Sequence, residues 1–227
     1  MFPRVDIISI GTLSRNRLWN ETDAVRTAHA TTSLIRSRAG RFILVDPALP
    51  PQVLAVRLNE RTGLRPEQVS AIFLTNFRVA HRGALAAFPQ ASVLMHELEI
   101  ESAARHVRNM LEQAPAEDLD RKFYEQEMRL LEAIKPAEDK LAESVDLFPL
   151  FGYTPGTCGL LVASTTVTTL IAGDGVPTLD HFLAGQVLPD SVDIKAAQES
   201  LAEAYEIADL IVPGHDNLFL NPRTMGM

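Results

Sequence analysis

The chain has 227 residues, 46% hydrophobic and 22% charged, with 29 acidic against 21 basic side chains and a formal net charge of −8. This balance supplies the apolar material of a real core. An acidic excess without a basic block argues against a surface that tracks nucleic-acid phosphates. A single cysteine, Cys158, excludes an internal disulfide framework and fits a reducing compartment.

Met1 to Asp6 has no basic start, apolar stretch or small-residue cleavage site of a signal peptide, so a cytoplasmic protein is expected. A first strand is predicted over Val5 to Ile10. The polar stretch from Arg15 to Ala30 reads as a loop and holds the only tryptophan, Trp19. Arg15, Arg17, Trp19 and Arg26 are read as solvated, or alternatively as lining a pocket mouth where an anionic substrate meets them. Thr32 to Ser37 and Arg41 to Val45 form a hairpin about Ala39-Gly40. Pro51 to Arg61 has helical spacing in Val53, Leu54, Val56 and Leu58, with Gly63 at the C-terminal cap. Ala71 to Leu74 has the length and branching of a buried strand. A short helix near Gly83 to Phe88 and a strand over Ala91 to Met95 follow.

From 97 to 143 the texture changes to high charge and strong helix formers. Leu119, Phe123, Leu130 and Ile134 lie on one side, widened by Met128 and Leu131. Two or three helices are expected, broken near Pro115 and Pro136, covering a sheet or lining a pocket mouth; a dimer surface is the other use of such a face. Leu147 to Gly173 carries no charge, but its prolines, glycines, serines and threonines suit short buried strands better than a spanning helix, so no membrane segment is expected. Strands are placed at Val145 to Leu150, Gly159 to Ala163 and Val167 to Ala172. A helix is placed at Asp190 to Ile207, with Ile194, Ala197, Leu201, Ala204 and Tyr205 inward, and a last strand at Asp209 to Val212. No linker is evident, so a single domain over 1–227 with α/β layering is expected. Four of the strands close on a polar residue: Asp46, Thr75-Asn76, Asp174 and, after Pro213-Gly214, His215. A packed sheet with polar side chains along one edge is how a rigid scaffold builds a site.

Ala71 to Arg82, AIFLTNFRVAHR, resembles the signature of the metallo-β-lactamase superfamily, in which an apolar strand ends in Thr and runs into His-x-His-x-Asp-His. Asn76 stands for the first His, Arg78 for the second and Ala80 for the Asp, while His81 is retained. Val45-Asp46-Pro47 looks like the strand end whose Asp braces the metal loop in that family. Gly152-Tyr153-Thr154-Pro155-Gly156 is similar to its Gly-His-Thr-Pro-Gly turn, with Tyr153 in place of a His. Ala172-Gly173-Asp174 matches the turn of the bridging Asp, and Pro213-Gly214-His215 the last His. The resemblance implies an αββα sandwich. It also implies that one of two metal sites is gone, since its positions hold Asn76, Arg78, Tyr153 and Asp174. The other keeps His81, Asp174 and His215, a set able to hold one Zn or Fe ion.

Arg78, directed as the lost His was, is expected beside Asp174, standing in for the missing metal charge, with Tyr153 adding a hydrogen bond. Asn76, Arg78, Ala80 and Tyr153 are expected to line the pocket. His29, His96 and His106 have no motif partner, His181 borders the pocket, and Cys158 is read as a small buried residue rather than a nucleophile. Two functions stay open. One is a relative without ordinary two-zinc activity that binds a small molecule or a partner protein with no metal. The other is a mononuclear hydrolase of an ester, lactone or amide.

Overall fold

Leu44, Ile72 and Leu74 point to one side of their strands and Ile43, Val45, Ala71 and Phe73 to the other, and both sets are buried. Strands covered on both faces need continuous apolar runs rather than alternation, which explains FILV and AIFL. The computed structural model describes residues 2–115 and 119–225 and shows two sheets, each covered by helices.

The first sheet has the order β1 (Arg4–Ser9), β2 (Thr32–Arg36), β3 (Phe42–Val45), β4 (Ala71–Leu74), β5 (Ser92–Met95), β6 (Lys135–Pro136). Its first three strands are antiparallel and the rest run parallel. The parallel step from β3 to β4 is made through α1 (Pro51–Thr62). After β5 come α2 (Glu97–Gln113) and α3 (Leu119–Ala133). The second sheet joins β7 (Lys140–Ala142), β8 (Val145–Pro149), β9 (Cys158–Ala163), β10 (Thr168–Gly173), β11 (Leu210–Pro213) and β12 (Phe219–Leu220) in that order. Only β10 and β11 are parallel, and α4 (Leu179–Ala184) and α5 (Ile194–Ile207) lie between them in the chain.

Three buried clusters define the layers. Leu54 and Leu58 of α1, Val107 of α2 and Leu131 of α3 pack with Leu34, Leu44 and Ile72 on the outside of the first sheet. Ile35, Ile43 and Phe73 meet Val145, Leu160, Ile171 and Val212 between the sheets. Leu170 and Ile211 pack under Phe182, Leu201 and Ala204 on the far side. The order helix, sheet, sheet, helix is the expected αββα sandwich. Among the described residues no helix is long and apolar enough to cross a membrane, and Leu147 to Gly173 forms the end of β8 and all of β9 and β10 with their turns. Cys158 is buried between the sheets, which pushes its thiol pKa up to about 12.

Several expectations need correction. The stretch 97–143 is helical only to Ala133; residues 116–118 lie outside the described residues, and 135–142 supplies edge strands β6 and β7 instead. Pairing with β5 and β8 overrides the helix-forming composition there, and Pro136 is tolerated because β6 is an edge. On α3, Met128, Leu130 and Leu131, with Ile134 just beyond its end, pack into the core as expected and are joined by Tyr124, whereas Leu119 and Phe123 are exposed. Val53 and Val56 of α1 and Ile194 and Tyr205 of α5 are also exposed, since a helix against a sheet buries only a narrow stripe. Helix α5 begins at Ile194, not Asp190, because the Asp193 side chain accepts the Ala196 N–H at 3.0 Å as an N-cap. The short helix near 83–88 is two 3₁₀ turns, Val79–His81 and Leu85–Ala87.

Candidate metal centre

Two of the parallel strand pairs, β3 with β4 and β10 with β11, bring the polar strand ends together. Asp46, after β3, takes φ +49°, a left-handed conformation that aspartate tolerates better than most residues. Its carboxylate turns towards β4 and accepts the Thr75 N–H at 2.9 Å and the Thr75 hydroxyl at 2.7 Å. The same carboxylate lies 3.0 Å from Nδ1 of His81. Across the sandwich, Gly173 has φ +52°, and a Cβ on it would come within 2.3 Å of Thr75 Oγ1. Only glycine lets the Asp174 turn close against Thr75.

Asp174 sits between two histidines: its Oδ2 is 2.8 Å from His81 Nε2 and its Oδ1 is 2.9 Å from His215 Nε2. All three side chains are buried, and their inward atoms lie within 4.8 Å of one another. The outward nitrogens decide the tautomers. His215 Nδ1 faces the carbonyl oxygens of Thr12 at 3.1 Å and His29 at 3.0 Å, which only accept, so Nδ1 carries the proton. His81 Nδ1 likewise faces the Asp46 carboxylate. In neutral form both imidazoles therefore turn Nε2 lone pairs towards Asp174, the orientation a metal ligand needs. Asp174 Oδ1, although close to His215 Nε2, is not aligned with it and has no hydrogen-bond partner among the described residues.

The charges respond to this crowding. Burial works against a charge on His81, but Asp174 and Asp46 outweigh it and push the imidazole pKa up to about 10. Burial alone would raise the Asp174 carboxyl, yet His81 and His215 hold it well below the usual carboxylate range. A cation in this space is an alternative to the proton that His81 holds on Nε2.

Asp174 is not paired with Arg78. The amide of Asn76, fully buried, donates to Asp174 Oδ2 at 2.9 Å, while Arg78 is exposed with its guanidinium 5.3 Å from the Tyr153 ring centroid. The expectations that Arg78 takes the metal's place and that Asn76 lines the pocket are thus corrected: Asn76 is short enough to stay beneath the carboxylate, and Arg78 reaches past it to stack on Tyr153. No hydrogen bond joins Tyr153 to Asp174 among the described residues; burial pushes the Tyr153 phenol up, so it stays protonated. Arg78, Ala80, Tyr153, His81, Asp174 and His215 line one cavity of about 250 Å³.

One residue here, Glu99, carries no sequence signal of its own, and a second, His181, borders the pocket as expected. Glu99, in the first turn of α2, is buried and clamps two loops: it accepts the Phe77 N–H at 2.9 Å, the Thr154 hydroxyl at 2.6 Å and the Gly156 N–H at 3.2 Å. His181, in α4, lines the cavity outside the three-residue cluster, with Nδ1 2.8 Å from Thr178 Oγ1. Burial lowers its pKa, so this imidazole is neutral near pH 7.

The metallo-beta-lactamase superfamily pattern matches residues 26–215. The chain belongs to the metallo-beta-lactamase superfamily. No curated protein matches it. Among solved structures it is similar to a candidate metallo-beta-lactamase from Thermotoga maritima, at 15% identity over 97% of this chain and 100% of that one, with a TM-score of 0.71. It also resembles AidC, a dizinc quorum-quenching lactonase bound to a product, at 16% identity over 96% and 87% of the two chains and a TM-score of 0.67. AiiA from B. thuringiensis, with N-decanoyl-L-homoserine in its active site, shares 16% identity over 100% and 96%, with a TM-score of 0.63. At these identities the likeness establishes the fold. Within that superfamily fold, this member brings His81, Asp174 and His215 to the meeting edge of its two sheets.

Proposed function

We propose that the protein holds a single divalent ion, Zn or Fe, on His81, Asp174 and His215, lacks the two-metal chemistry of its relatives, and hydrolyses a small ester, lactone or amide. The observation that carries this reading is what the outer ring nitrogens face. Asp46 takes the outer nitrogen of His81 and two carbonyls take that of His215, which leaves two Nε2 lone pairs around one carboxylate. A carboxylate oxygen without a hydrogen bond in the same space fits a donor set made to converge on an ion. Two His and one carboxylate with open positions suit either metal. The other site of the two-metal pattern falls on Asn76, Arg78 and Tyr153, none of which is an ordinary ligand of such ions. The product held by the lactonase AidC supports lactones among the candidate substrates.

When bound, the ion would supply Lewis-acid polarisation and acidify a water molecule. The chain's own groups do the rest. Tyr153, kept protonated by burial, donates to the oxygen on which negative charge develops. His181 faces the cavity as a neutral imidazole and carries a proton from the attacking water to the leaving oxygen or nitrogen. Asp46 and Thr75 hold His81 in place from behind.

A second reading is a metal-free binding protein. Asn76 favours it, because its amide already donates to Asp174 and partly satisfies that carboxylate without an ion. Mass-spectrometric metal content separates the two. About one ion per chain after exposure to Zn²⁺ or Fe²⁺ and dialysis, lost in His81→Ala/His215→Ala, supports the mononuclear hydrolase and an ester and lactone screen. Metal no higher than in that control ends it and leaves the binding protein.

A further inference from the structure

Arg15, Arg17 and Arg78 all line the cavity above the three-residue cluster, in a chain whose net charge is −8. None of the three forms an ion pair with a carboxylate among the described residues, whereas Arg26 of the same loop pairs with Glu21 and Arg82 with Glu127. Two of the three are held by uncharged partners. Arg15 donates to the Thr22 carbonyl at 2.9 Å, and Arg78 stacks on Tyr153. A guanidinium that meets a ring rather than a carboxylate keeps its charge uncompensated and its N–H fork open to a carboxylate or phosphate.

The loop that carries Arg15 and Arg17 is fastened to the site. Thr12 and His29, at its two ends, give the carbonyls that hold His215. In its middle, Trp19 Nε1 donates to Asp180 at 2.6 Å, on the same helix as His181. Asn16 is buried and caps the turn Arg17–Trp19 by accepting the Leu18 N–H at 3.0 Å. The neighbouring acids Glu21 and Asp180 thus have partners of their own. Asp190 and Asp174 also line the cavity, and Asp174 is flanked by two histidines. Leu13, Ala28, Leu188 and Pro189 complete an apolar wall.

We infer that the substrate is a small molecule bearing a carboxylate or phosphate group, bound by Arg15, Arg17 and Arg78 beside the bond that is cut. This names a substrate class for the proposed hydrolase and rests on that reading. The cavity of about 250 Å³ limits the molecule to a compact one. The anionic end sits on the arginine fork and the acyl carbon faces His81, Asp174 and His215.

The test is calorimetric titration of inorganic phosphate, and separately succinate, into chelator-treated protein and into zinc-loaded protein, at low and high NaCl. Saturable binding to the metal-free wild type is expected, weakened by salt. Arg17→Met and Arg78→Met should each weaken it by about tenfold or more, the scale of a charge-assisted contact, with unchanged circular dichroism and melting. Arg78→Lys should recover only part of the loss, because it keeps the charge and loses the fork. Equal binding in wild type and arginine variants overturns the proposal. So does binding seen only with zinc and insensitive to the arginines, which places the anion on the metal. Absence of anion binding in a protein that retains one ion per chain also overturns it while leaving the metal reading intact.

Discussion

Asp46 Oδ2 lies 3.0 Å from His81 Nδ1, with both side chains shut off from solvent. The contact crosses from the end of β3 to the turn after β4 and fixes which nitrogen of His81 faces Asp174. Asp46→Asn retains the left-handed backbone but exchanges an acceptor for an amide that competes for the same partners. Metal affinity should fall about 10- to 100-fold, as for other changes behind a ligand histidine. Competition against a chromophoric chelator measures it; unchanged affinity would mean that His81 does not depend on Asp46.

Protons and metal compete for this site, so pH acts in opposite senses on the two forms. In the metal-free protein the His81 pKa is pushed from 6.5 up to about 10. Its contribution to stability is complete below the ordinary value and disappears as pH climbs through 10. Asp174 is held well below its ordinary 3.8, so its contribution is present above that value and is lost as acid approaches the lower one. Urea denaturation of chelator-treated protein should show stability falling from about pH 6 to pH 10, and His81→Asn should flatten that fall. Zinc affinity should instead rise with pH, because binding must release the extra proton of the His81 imidazolium.

Ala80 lines the cavity where the family's pattern has a carboxylate ligand. Ala80→Asp should therefore tighten zinc by at least about tenfold, the scale on which even outer partners act. The stoichiometry should stay at one, since Asn76, Arg78 and Tyr153 still occupy the other site. Weaker binding in Ala80→Asp would show that residue 80 does not point at the ion.

Glu99 joins the loop after β4 to the turn that carries Tyr153. Glu99→Ala leaves the Phe77 and Gly156 N–H groups and the Thr154 hydroxyl without this acceptor, at about 1–3 kcal/mol for each group left unsatisfied. Glu99→Gln keeps an acceptor and should cost less. Chemical denaturation gives the stabilities, and hydrogen exchange should show faster opening confined to the two loops in Glu99→Ala. Exchange spread evenly over the sheets would mean that Glu99 supports the core rather than the site.

Local chemistry carries a long way in this chain. Apolar runs at 42–45, 71–74 and 170–172 suit strands buried on both faces, and each leads into a polar residue of the site. Gly40 and Gly63 mark the hairpin and the helix end because left-handed backbone favours glycine. His81, Asp174 and His215 were legible from spacing within a family frame. The centres of the α3 and α5 faces were legible too, but their margins at Leu119, Phe123, Ile194 and Tyr205 were not, since only the packed sheet decides how wide a stripe is buried. Residues 135–142 became strands because partners distant in sequence, β5 and β8, offered open edges. Glu99 and the contact of Arg78 with the Tyr153 ring join residues far apart in the chain with no period or motif. The sequence by itself determined the layers and the candidate ligands. Only the tertiary structure decided that Asn76 rather than Arg78 meets Asp174, because reach and burial at a crowded strand end depend on every neighbour at once.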